Sequence, residues 1–181
     1  MLTITIPATE TFDEIKGEFI YTKERILQLE HSLISISKWE SKWCKPFLGK
    51  QEKTVEEIID YVKCMTLNKN VSDEAYACLS QSNINDINEY IGAPMTATTF
   101  SNLERGGKKN SEQITSELIY YWMIALNIPP EYQKWHLNRL LTLIRVCNVK
   151  NQPPKKMSKR EIISRNAALN AARRQQLNTK G

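Results

Sequence analysis

The sequence predicts a mainly α-helical protein: a compact helical domain, a short N-terminal β-strand or hairpin element before it, and a basic helical tail after it. Three observations predict this. Apolar residues recur at helical spacing through most of 32–149, whereas the first 31 residues alternate apolar and polar side chains. Nine of the 25 basic residues, but only one of the 20 acids, fall in 150–181. The tail therefore carries +8 and the rest of the chain −3.

The elements follow in order. Leu2-Thr3-Ile4-Thr5-Ile6 alternates and stops at Pro7, a strand signal. Glu18-Phe19-Ile20-Tyr21-Thr22 after Gly17 is a second strand, and Leu27-Gln28-Leu29-Glu30 a third. Ile36, Trp39 and Trp43, at i, i+3 and i+7, predict a helix that ends before Pro46 and carries both tryptophans on one face. The run Ile34-Ser35-Ile36 would equally extend a strand. Thr54-Val-Glu-Glu57 is a capping box. Behind it Ile58, Ile59, Val62, Met65 and Leu67 keep helical spacing until Asn68-Lys-Asn70. Ser72-Asp-Glu opens another helix, with acids where the helix dipole favours them. Residues 83–91 form one more, closed by Gly92 and Pro94.

Residues 92–111 read as a loop. Its Gly106-Gly107 pair lacks the preceding strand and the G-x-x-x-x-G-K-[ST] pattern of a phosphate-binding loop. Ser111 is the expected cap of a helix over 112–127. Its two apolar faces, Ile114, Leu118, Tyr121, Trp122 and Ala125 on one and Ile119, Met123 and Leu126 on the other, predict deep burial. Asn127-Ile-Pro-Pro130 links it to a helix over 130–147 carrying Trp135, Leu137, Leu140, Leu141, Ile144 and Cys147. The two should form an αα-hairpin at the centre of the core. Pro153-Pro154 makes a linker, and the capping box Ser158-Lys-Arg-Glu161 opens the tail helix, whose last residues, 178–181, should fray. The expected divisions are thus a strand-rich element at 1–31, a helical body at 32–149 and a basic tail at 150–181.

The sequence excludes more chemistry than it offers. No run of 18 apolar residues exists, and the first residues lack the basic and apolar regions of a secretory signal, so a soluble cytoplasmic protein is expected. Cys44, Cys64, Cys78 and Cys147 form no C-x-x-C pair and should be buried thiols. His31 and His136 are the only histidines, and His136 should lie on a helix surface. Neither G-x-S-x-G nor H-E-x-x-H occurs. Glu56, Glu57, Asp60, Asp73 and Glu74 lie near helix starts and are expected to be structural. No catalytic, cofactor-binding or metal-ligating residue is expected, and hence no enzyme and no cofactor. The residues expected to meet a partner are Trp39, Trp43 and the tail's Lys155, Lys156, Lys159, Arg160, Arg165, Arg173 and Arg174. The tail would be drawn to an acidic protein surface or to phosphates, less strongly as salt rises. The aromatics are spaced among aliphatics, which argues against base stacking and favours a protein partner over nucleic acid.

Several strings resemble a family of tailed-bacteriophage proteins. They are Leu29-Glu-His-Ser-Leu-Ile-Ser-Ile-Ser-Lys-Trp-Glu-Ser-Lys-Trp43, Lys45-Pro-Phe-Leu48, Asp60-Tyr-Val-Lys-Cys-Met65, Pro94-Met-Thr-Ala-Thr-Thr99, Tyr120-Tyr-Trp-Met-Ile-Ala-Leu126, Ala168-Leu-Asn-Ala-Ala-Arg-Arg174 and Asn178-Thr-Lys-Gly181. The family is that of tail assembly chaperones in the tail morphogenesis module. The resemblance implies a mostly helical, non-catalytic protein of the host cytoplasm. It would bind the tape measure protein, keep its apolar stretches from aggregating, help recruit the tail tube protein, and leave before the virion is complete. It supplies no catalytic residues. Self-association is compatible with it. Two other readings stand beside it: a structural head–tail or tail adaptor kept in the virion, and a nucleic-acid-binding regulator using the basic tail.

Overall fold

The computed structural model describes residues 1–13, 17–100, 113–152 and 158–178. Strands come first: β1 (Leu2–Ile6), β2 (Thr9–Asp13), β3 (Glu18–Thr22) and β4 (Arg25–Leu29). β1 pairs antiparallel with β4, from Leu2↔Leu29 to Ile6↔Arg25. β2 pairs antiparallel with β3, from Thr9↔Thr22 to Asp13↔Glu18. Both ladders keep one register, so the strands form a single long ribbon. It is interrupted after Ile6, where Pro7 has no N–H to donate. The sequence predicts three of these strands and misses β2. Thr9-Glu-Thr-Phe-Asp13 holds one large apolar residue, and its pairing with β3 rather than its own pattern makes it a strand. In the half made by β1 and β4, Ile4, Ile6, Leu27 and Leu29 are buried while Thr3, Thr5, Ile26 and Gln28 face outward.

Helices follow as α1 (Leu33–Trp43), α2 (Val55–Met65), α3 (Asp73–Ala77), α4 (Gln81–Gly92), α5 (Ser116–Ala125), α6 (Leu137–Asn151) and α7 (Lys159–Leu177). Ser32 caps α1 through a reciprocal pair with Ser35, which resolves Ile34-Ser35-Ile36 as helix rather than strand. α1 ends at Cys44, whose left-handed backbone (φ 52) lets its N–H reach Glu40 O at 2.8 Å. Cys44 is consequently exposed, against the expectation of a buried thiol, while Cys64, Cys78 and Cys147 pack half-buried against the core.

The capping box of Thr54 and Glu57 opens α2 as predicted. α2 stops short of Leu67 because the end of β4 takes over its backbone. Met65 O accepts from Glu30 N–H at 2.9 Å, and Leu67 N–H donates to Gln28 O at 2.8 Å. α3 is only five residues long, and Ser72 makes no side-chain cap there. α4 begins two residues earlier than expected because Ser80 and Asn83 form a capping box. Asn83 Nδ2 also donates to Thr5 O at 3.3 Å, tying α4 to β1.

The expected αα-hairpin is modified. Thr115 caps α5, accepting from Leu118 N–H, while the predicted cap Ser111 lies outside the described residues, as does most of the predicted glycine-rich loop. Pro129-Pro130 opens a 3-10 turn (Pro130–Lys134) instead of a helix. The chain then runs extended at Trp135 and His136, where His136 bridges to Ser32 and Leu137 N–H donates to His31 O at 2.7 Å. α6 starts only after this step.

One hydrophobic cluster, including Ile4, Leu29, Leu33, Ile36, Trp39, Tyr61, Met65, Ile119, Met123, Leu137 and Leu140, unites β1 and β4 with α1 to α6. Met1–Asn148 is one compact unit, so the strand-rich entry and the helical body share a core. Val149–Gly181 is a second unit, and within it α7 has Ser158 and Glu161 as the predicted capping box and Asn178 as a left-handed C-cap. Pro153 and Pro154 lie outside the described residues. Among the described residues no helix is long and apolar enough to cross a membrane.

Candidate functional site

Both histidines are buried, His31 at 2% exposure and His136 at 6%, which corrects the expected surface position of His136. The extended step before α6 turns the His136 ring inward, 5.0 Å from that of His31. His31 Nδ1 shares a 2.6 Å hydrogen bond with the Tyr61 hydroxyl. His136 Nδ1 accepts from Asn138 N–H at 3.3 Å, so Nε2 carries the proton and donates to Tyr90 O at 3.0 Å. Tyr90 donates its hydroxyl to Glu30 Oε1 at 2.7 Å, and Glu30 Oε2 meets the Met1 ammonium at 3.0 Å. Burial, then the neighbouring His136, lowers His31 to about 4. Burial lowers His136 too and pushes the Tyr61 and Tyr90 hydroxyls up. Each group is thereby held in its neutral, hydrogen-bonded form. The cluster joins the β4–α1 link to α2, α4 and α6, and its chemistry is that of a joint. Among the described residues no group of three or more His, Cys, Asp or Glu is placed to hold a metal ion.

The tryptophan pair behaves unequally. Trp39 is 1% exposed, and its Nε1 donates to Glu57 O at 2.8 Å, so it offers a partner no surface. Trp43 is half-buried and donates from Nε1 to Asp60 Oδ2 at 3.0 Å. It lines a cleft of about 350 Å³ with Lys42, Glu56, Ile59, Asp60 and Lys63. Lys42 pairs with Asp60 there. Alongside, Lys45 donates to Glu57 Oε1 at 2.6 Å, and this ion pair with the Thr54 N–H holds the Glu57 carboxyl below the usual range. The acids read as structural, Glu57 and Asp60, are thus committed to named partners. Trp135, expected in the core, is half-buried between the stacked Tyr132 ring at 4.1 Å and the Arg139 guanidinium at 4.0 Å.

α7 carries Lys159, Arg160, Arg165, Arg173 and Arg174, all exposed, and none of its residues is buried. Lys155 and Lys156 lie outside the described residues. A surface that sequence reasoning missed lies on α5. Tyr121 is 63% exposed and Ile124 76%, with Glu117 and Ala125 exposed beside them. The helix was expected to be deeply buried because it is apolar on nearly all sides; only Ile119, Met123 and the small Ser116 are fully buried, with Tyr120 and Trp122 partly buried against the core. The uniform apolarity of the helix is the signal that one of its sides could be left exposed. Comparison of the chain with family models, with curated proteins and with solved structures finds no match.

Proposed function

We propose that this chain is a non-catalytic tail assembly chaperone that binds the tape measure protein in the host cytoplasm during phage tail morphogenesis. The observation that carries this reading is a nineteen-residue basic helix, α7, none of whose side chains is used by a core. Helices in proteins draw most of their stability from packing one face, so a partner that covers α7 would stabilise it. Ile162, Ile163, Leu169 and Leu177 are exposed along it among the basic residues. Such a surface suits a client that is itself helical, with apolar stripes edged by acids. The aliphatic content favours a protein over a phosphate backbone, since phosphate contacts draw nothing from isoleucine and leucine.

Co-expression with the tape measure protein tests the proposal. The full chain should hold the tape measure protein in the soluble fraction and co-purify with it. Arg160→Glu combined with Arg174→Glu should lose that effect. A tape measure protein that stays insoluble with the wild-type chain would overturn the reading. Abundant peptides of this chain in finished virions would assign it to a retained adaptor instead.

A further inference from the structure

We infer that the body carries a docking site for a peptide segment that presents an aliphatic side chain beside a carboxylate, in two adjoining clefts that share Lys134 and Glu30. The first cleft, about 340 Å³, is lined by Ile34, Met65 and Leu67, with Lys38 beside them. The second, about 270 Å³, is lined by Met95, Trp135, His136 and Arg139. Both lie wholly within Met1–Asn148. Each keeps a large apolar side chain in contact with water, Leu67 at 55% exposure in the first and Met95 at 41% in the second.

Charge defines the other half of the ligand. Lys38, Lys134 and Arg139 are exposed, and none has an ion-pair partner among the described residues. Glu30, the acid that the two clefts share, is already engaged, by the Tyr90 hydroxyl on Oε1 and the Met1 ammonium on Oε2. Arg139 is held in place in advance. Its guanidinium lies 4.0 Å over the Trp135 ring, which supports it by its face and leaves its N–H edge for a planar acceptor. A carboxylate is such an acceptor and takes two N–H bonds side by side. Other anions fit less well. Tyr132 stacks on the opposite face of Trp135 at 4.1 Å, so no nucleobase can stack there. Glu30 in the shared wall repels a phosphate dianion more than a carboxylate. An inorganic anion would also leave the apolar cleft unused, whereas an aliphatic side chain of the same segment gains by burial in it. The inference rests on the body alone and stands independently of the proposed function.

The test is a titration of the isotopically labelled full chain, read by proton–nitrogen NMR at the Trp135 indole N–H and the Leu67 amide. The probe is a capped tetrapeptide of two glutamates between two leucines, and its control has lysines in place of the glutamates. Both signals should shift saturably with the glutamate peptide, less as salt rises, and not with the lysine peptide. Lys134→Glu and Arg139→Glu should each weaken binding at least about fivefold, and the double variant should prefer the lysine peptide. Leu67→Ser should weaken it about threefold, and each variant's own spectrum reports whether its fold is kept. The absence of a saturable shift at about 10 mM peptide overturns the inference. So do charge reversals that leave the affinity intact. So too does inorganic phosphate or hexanoate that shifts both signals at concentrations no higher than the peptide's, which would assign the clefts to a phosphate or to a small amphipathic acid.

Discussion

Glu40 is the side chain whose removal should cost this fold the most per atom. It is buried on α1, and its two oxygens accept from two backbone N–H groups far apart in sequence: Phe47 N at 2.7 Å on Oε1 and Ser116 N at 2.7 Å on Oε2. One carboxylate therefore closes the turn after α1 and anchors the first turn of α5. Glu40→Ala leaves both donors buried without partners. A hydrogen bond to a charged group contributes about 1.5–3 kcal/mol, and an orphaned buried donor adds its desolvation cost, so the loss should be about 3–5 kcal/mol. Against a total stability of about 5–15 kcal/mol, that lowers the melting temperature by roughly 10 °C or more. Glu40→Gln keeps one acceptor oxygen but turns an NH₂ toward the second donor, and should cost about 2 kcal/mol. Urea unfolding followed by tryptophan fluorescence measures both. Amide exchange at Ser116 should accelerate in both variants before exchange elsewhere does. A Glu40→Ala protein within about 1 kcal/mol of wild type would show that water replaces the carboxylate at no cost, and would refute this account of how α5 is held.

Two further outcomes follow from the structure. Stability should fall as pH drops from about 6.5 towards 4, because the unfolded chain takes up a proton on His31 that the folded chain refuses until about 4. The full loss is about 3 kcal/mol, it begins above the range in which Glu57 and Asp73 titrate, and His31→Gln should flatten most of it, His136 keeping a smaller share in the same direction; a wild-type stability that is flat between pH 6.5 and 4.5 would contradict the buried neutral assignment. Ser158→Ala should remove about 1 kcal/mol from the start of α7, seen as faster amide exchange at Glu161 and Ile162, with the unfolding midpoint of the body unchanged.

What the sequence reveals and what it hides divide along physical lines. The capping boxes at Thr54 and Ser158 were legible because both partners lie within four residues, so local chemistry decides them. The start of α6 was not, because Pro130 and the apolar spacing both favour a helix through Trp135. That helix loses to a backbone hydrogen bond from Leu137 to His31, more than a hundred residues away in sequence. The same distant partner buries His136, which in Lys134-Trp-His-Leu137 has the local pattern of a surface residue. Glu40 was invisible for the same reason, since Ser116 meets it only in the folded chain. The basic helix was legible from composition alone. The α5 stripe was misread because apolar periodicity reports that a face can be buried, not that the fold buries it.

That distinction also separates the two halves of the protein by role. Residues 28–32 accept or donate backbone bonds to the end of α2 and the start of α6, and the histidine and tyrosine side chains fill the space between those elements. Helices as short as α2, α3 and α5 need such a joint, because none is long enough to be stable by itself. No residue of α7 is buried. Its capping box, its alanines and its left-handed Asn178 cap reduce the ordering cost without removing it. If the proposed client covers α7, it supplies the remainder, and helicity then reports binding: amide exchange in 159–177 should slow in proportion to occupancy, while exchange around His31 and Tyr61 stays constant.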